Sequence, residues 1–104
     1  MATVHVTISR VDDRGDTGGA LPLVTSVPEA AQTITSSGTS AASTIAAAKA
    51  DGLVWSVTAT SNVFVAFGAS PTAVSGSGHL VLAGQTRDFS VTAAGEKIAV
   101  KDAS

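Results

Sequence analysis

From Thr3 to Ile8 apolar and polar residues alternate, with Val4, Val6 and Ile8 on one side and Thr3, His5 and Thr7 on the other. A period of two is the mark of a strand with one buried face. The same alternation returns at Leu53, Trp55, Val57 and Ala59, and after Ser61-Asn62 it resumes over Val63 to Phe67. The two runs with that short turn predict a hairpin. Shorter runs at Gln32 to Ser36, Ser43 to Ala47, Leu80 to Ala83, Arg87 to Val91 and Lys97 to Val100 read as further strands. Leu23 to Val27 predicts a short edge strand ended by Pro28, because proline has no amide hydrogen for a central ladder.

Between these runs lie turn signals: Ser37-Gly38-Thr39-Ser40, Ala83-Gly84-Gln85 and Ala93-Ala94-Gly95-Glu96. Arg10 to Pro22 gathers aspartates, Gly18-Gly19 and a proline, which predicts an exposed loop. Ala41 to Ala50 is alanine-rich and followed by Asp51-Gly52, so a single helical turn is the alternative there. Short strands separated by turns predict one all-β domain over residues 1–104, an antiparallel sandwich or jelly-roll-like barrel of about seven or eight strands. The alternation points Val4, Val6, Trp55, Val57, Val65, Phe67, Leu82, Phe89, Ile98 and Val100 inward.

With 104 residues and no cysteine, the chain is long enough to build a core without disulfides or a structural metal. Charged residues are only 13% of it, and the formal net charge is −2. Arg10, Arg14, Lys49, Arg87, Lys97 and Lys101 are scattered, which argues against a nucleic-acid partner. No apolar run reaches a membrane span and the first ten residues have no export signal, so the expectation is a soluble chain made in the cytoplasm.

Candidate chemistry is sparse. His5 and His79 each lack a neighbouring ligand at metal-site spacing. Asp12, Asp13 and Asp16 offer oxygen ligands, but Arg14 interrupts them and no glutamate closes a calcium loop. Arg14-Gly15-Asp16 matches the tripeptide read by integrins, a three-residue signal that chance explains. No serine has a base and acid in a recognisable arrangement, so no catalytic residue and no cofactor are expected. Trp55, Phe64, Phe67 and Phe89 are barely enough aromatics for a core, and Trp55 and Phe67 are assigned to packing rather than to a sugar-stacking platform.

Phe64-Val65-Ala66-Phe67-Gly68 with Ser70-Pro71-Thr72-Ala73 is followed by Gly76-Ser77-Gly78-His79-Leu80, Leu82-Ala83-Gly84-Gln85-Thr86-Arg87-Asp88-Phe89 and Gly95-Glu96-Lys97-Ile98-Ala99-Val100. With Thr33 to Ser43 upstream, this order resembles small virion structural proteins of tailed bacteriophages, commonly decoration or cement subunits of the head. The resemblance implies a non-enzymatic protein on the capsid surface, with the major capsid protein and copies of itself, as a homotrimer or another ring, for partners. It carries over no functional residues. Tail, neck or fibre components and a glycan-binding adhesion module are the alternatives.

The low charge suits burial of surface against other subunits, since uncharged polar groups desolvate at lower cost than ions. Residues 1–30 join one strand to a glycine-containing loop, which suggests an arm that leaves its own domain and adds Val4, Val6 and Ile8 to a neighbour. Ser70, Pro71 and His79, in the loop before Leu80, are the other expected interface residues.

Overall fold

A computed structural model of the chain describes residues 2–13, 22–24, 28–48 and 52–103, with 11–13 and 22–24 described by their backbone. The described residues form β1 (Thr3–Asp13), β2 (Pro22–Val24), β3 (Ala30–Thr35), β4 (Ala41–Ala42), β5 (Leu53–Ala59), β6 (Val63–Gly68), β7 (His79–Val81), β8 (Thr86–Ser90) and β9 (Lys97–Asp102). In the first sheet β1 lies between β3 and β5, β8 pairs the far side of β5, and β2 pairs the end of β1. The second sheet runs β4-β9-β6-β7. Every pairing is antiparallel, and the architecture is the expected all-β sandwich.

Alternation decides which side of each strand enters the core. Val4, Val6 and Ile8 of β1 meet Trp55 and Val57 of β5, Val63 and Val65 of β6, Val81 of β7, and Ile98 and Val100 of β9 in one buried cluster. Trp55 is the largest fully buried side chain. Each of these valines contributes about 1.5–3 kcal/mol by leaving water. Phe67 and Phe89 are only half-buried, packed against the edge of the cluster.

Several expectations are corrected. Arg10 to Asp13 belong to β1 rather than to a loop: Arg10 pairs with Leu53, and Val11 to Asp13 pair with Val24 to Pro22, so ladder partners outweigh their polarity. β5 and β6 do not form a hairpin, because β5 pairs with β1 and β8 while β6 pairs with β7 and β9. Ser61-Asn62 instead carries the chain from one sheet to the other, and both strands show the same alternation because they face one core from opposite sides. Only Ala41 and Ala42 of the alanine-rich stretch join a sheet. Ser43 ends the strand by turning its hydroxyl to the Ile45 carbonyl at 2.8 Å, a local bond that competes with the ladder. No helix forms among residues 41–48, and 49–51 lie outside the described residues.

Leu82 is 47% exposed and Val81 takes the inward place, because the strand stops at Val81 and Leu82 opens a turn closed by Gln85 N–H on its carbonyl. The edge strand expected over Leu23 to Val27 is Pro22 to Val24, with 25–27 outside the described residues.

Candidate interaction surface

The strand expected to be an arm is the centre of its own sheet. Val4, Val6 and Ile8 are at most 1% exposed, and β1 bonds β3 on one side and β5 on the other. The expectation that these three side chains reach a neighbour is therefore corrected: removing them from the core would uncover two strands and the face of Trp55. On the segment between β6 and β7 Ser70 is exposed and Pro71 half-buried, and His79, the first residue of β7, is exposed.

That segment leaves β6 at Gly68 and reaches the opposite side of the second sheet, where the Ala73 amide donates to Ser40 Oγ at 2.8 Å. On that sheet Ala99 is buried although it alternates with the inward Ile98 and Val100. The segment returns through Gly78, whose φ is +74° and where a Cβ would sit 2.4 Å from the Val65 carbonyl oxygen. Only glycine meets both conditions.

His79 then closes the open side of the sandwich. Its ring lies 4.8 Å from Phe89, Phe89 lies 5.0 Å from Phe67, and Phe67 lies 5.8 Å from Trp55, a stack leading from the surface to the core. Arg87 sits 5.1 Å from the Phe89 ring centre and donates to the Leu80 carbonyl at 3.1 Å. The inner end of the stack is held by the buried Glu96, whose carboxylate accepts from Trp55 Nε1 at 2.9 Å and from the Thr92 hydroxyl. This is a packing device, since each buried polar side-chain atom in it has a partner. It was invisible in the sequence because Trp55 and Glu96 are 41 residues apart.

The two outer faces differ. On the first sheet Thr33, His5, Thr58 and Thr86 stand in one row across four strands, and Ala31, Thr7, Ser56 and Asp88 in the next. Hydroxyls bond along these rows: Thr58 to Thr86 at 2.8 Å, Ser56 to Asp88 at 2.7 Å, and His5 Nδ1 with Thr33 at 3.2 Å. Among the described side chains, His5 and Asp88 are the ionisable groups at the outward positions of these two rows. On the second sheet Leu80 stands opposite Phe64, and Lys101 follows in the same row. Leu80 is 38% exposed and Leu82 47%, with Val74 of the crossing segment at 52%.

A cleft of about 270 Å³ lies between Ile8, Ala30, Leu53, Ala46 and Ala48, with Arg10 and Glu29 paired at 4.0 Å on its rim. His5 and His79 lie on different sheets, and no group of metal-ligating side chains gathers among the described residues. The Arg14-Gly15-Asp16 triplet and Asp16 lie outside the described residues, as do the side chains of Asp12 and Asp13. Comparison with protein-family models, with curated proteins and with solved structures found no match.

Proposed function

We propose that the protein is a structural subunit of a bacteriophage virion, a decoration or cement protein that seats on the outside of the head and strengthens it. The observation that carries this reading is a set of exposed apolar side chains, Leu80 opposite Phe64 on the outer side of the second sheet, Leu82 in the turn after β7 and Val74 on the segment between β6 and β7. Large apolar side chains left in water are a protein-contact feature when a partner covers them together. The resemblance over Phe64 to Val100 points the same way, and this surface lies within it.

The contact buries those side chains against the major capsid protein, with Lys101 at the rim, and copies of the subunit meet at symmetric junctions of the shell as a homotrimer or another closed ring. The inward position of Trp55 and the half-burial of Phe67 and Phe89 favour this reading over a glycan-binding module, which needs aromatic faces turned outward. The test is co-sedimentation with purified expanded heads lacking decoration, followed by heating. Saturable binding that raises the temperature of head rupture supports the proposal. Absence of binding to heads, with binding to tails or to host glycans instead, overturns it.

A further inference from the structure

Five strands lie at the edges of the two sheets, and four of them are guarded against pairing with another chain. β2 is three residues long and begins at Pro22. β8 carries Arg87 and Asp88. β7 is three residues long, and the outward carbonyl of Leu80 is occupied by Arg87. β4 has two residues, and the chain after it is held by Gln32 Oε1, which accepts from the Thr44 amide at 2.8 Å. Short strands and charges are the usual protection of a sheet edge.

β3 has neither. Its sequence, Ala30-Ala31-Gln32-Thr33-Ile34-Thr35, contains no charge and no proline. The Ser36 amide donates to the Ala2 carbonyl at 2.8 Å, and Val4 with Ile34, Val6 with Gln32 and Ile8 with Ala30 continue the bonded pairs in the same phase. Ala31, Thr33 and Thr35 therefore point their amides and carbonyls away from β1, where no described hydrogen bond occupies them.

We infer that this edge pairs with β3 of a second copy of the same chain, antiparallel about a two-fold axis at Thr33. The partner's identity follows from charge and register. From Ala30 to Ala48 the chain has no charged side chain, so two copies meet here without like-charge repulsion, and a charged partner would find no counter-ion. With Thr33 opposite Thr33, Ala31 falls opposite Thr35 on both sides, and every outward residue of both strands pairs. That register yields about six main-chain hydrogen bonds across the axis. It also runs the row Thr86-Thr58-His5-Thr33 into its own symmetry copy, extending the hydroxyl face over both subunits. The inference does not rest on the virion reading, and a two-fold contact adds to a ring built through other surfaces.

The chain has no cysteine, which allows a direct test. In the paired register two residues at position 33 have Cα atoms about 5.5 Å apart, inside the disulfide range. The full chain carrying Thr33→Cys should form a covalent dimer under glutathione redox buffer, with each thiol losing a proton and the two electrons passing to glutathione disulfide. Ser90→Cys, on the guarded β8 edge, should remain monomeric on denaturing gels. Thr33→Lys should weaken self-association of the wild-type protein, read by sedimentation, by about tenfold or more, because it sets two ammonium groups face to face.

A wild-type chain that sediments as a monomer, or Thr33→Cys that cross-links no faster than Ser90→Cys, overturns the inference. If Thr33→Cys stays uncrosslinked while Thr33→Lys releases the protein from heads, the edge takes a strand of the shell protein and self-pairing is likewise overturned. Should the lysine variant misfold, the cysteine variant decides alone, since the smaller substitution leaves the strand's outward bonds in place.

Discussion

Glu96 shows how one carboxylate can organise a neighbourhood that has no catalytic task. It is 4% exposed, yet both oxygens are used, one by the Trp55 indole and the other by Thr92. Its main chain extends the same tie, because the Ala47 amide donates to the Glu96 carbonyl and the Gly95 amide to the Ala47 carbonyl. Glu96→Ala strands the indole N–H and should cost about 1–3 kcal/mol in urea unfolding, whereas Glu96→Gln, which keeps an acceptor, should cost less. Gly78→Ala joins a left-handed φ to a clash with backbone rather than with a movable side chain. A loss of at least about 2 kcal/mol is expected, and an unchanged denaturation midpoint would mean that the crossing segment lies elsewhere. At the other end of the molecule the buried Ser36 hydroxyl donates to Asp102 and accepts from the Ala2 amide at 2.8 Å. The Ser36 hydrogen bond holds the Asp102 carboxyl below its ordinary value of 3.8. A lowered folded pKa gives stability that is complete above that ordinary value and is lost as pH falls through the folded one. Asp102→Asn should therefore show a flatter acid limb below 3.8 in a pH series of denaturant midpoints, with the wild type losing stability more steeply there.

At the scale of elements, β1 is the piece on which the first sheet depends. It separates β3 from β5 and supplies Val4, Val6 and Ile8 to the core. Deleting residues 1–9 should abolish cooperative unfolding and the near-ultraviolet signal of Trp55. A truncated chain that still melts cooperatively would restore the detachable arm. The strand itself was legible, because alternation over Thr3 to Ile8 reports a one-sided environment whoever supplies it. Alternation does not say whose core is entered, and the glycines after Arg10 suggested a tether where the backbone in fact continues as strand to Asp13. The same limit explains β5 and β6. Their periodicity located both, but strands facing each other across a core carry the same pattern as strands side by side in a hairpin. Leu82 was misplaced because one extra residue of strand inverts a side chain, and the end at Val81 is set by the Gln85 turn rather than by local apolarity. Of the expected surface residues, Ser70 and His79 are exposed, Pro71 is half-buried and those on β1 are buried. Polarity and turn composition mark the exposed ones directly, whereas the buried ones depended on a tertiary partner.

The whole molecule presents two unlike faces, and this difference makes the proposed role testable without disturbing the fold. The first sheet offers rows of hydroxyls, Thr58 bonded to Thr86 and Ser56 to the Asp88 carboxylate, a surface that loses little by remaining in water. The second carries Leu80 and is followed by Leu82, exposed apolar side chains that gain by leaving it. A subunit fixed to a shell through the second face would show the hydroxyl face outward and hold β3 at its flank, where a neighbouring copy can pair. Substituting exposed positions away from core contacts changes stability by only about 0.5 kcal/mol. Leu82→Arg should accordingly leave the thermal midpoint of the free protein near that of the wild type. The same change places a guanidinium in the middle of the proposed contact, where desolvating it without a partner is costly. Binding to undecorated heads should fall by about tenfold or more, since a loss of 1.4 kcal/mol already gives that factor. Thr58→Arg, on the hydroxyl face, should bind heads as the wild type does. If the two variants exchange behaviour, the molecule sits on its hydroxyl face and the apolar side chains of the second sheet await a different partner.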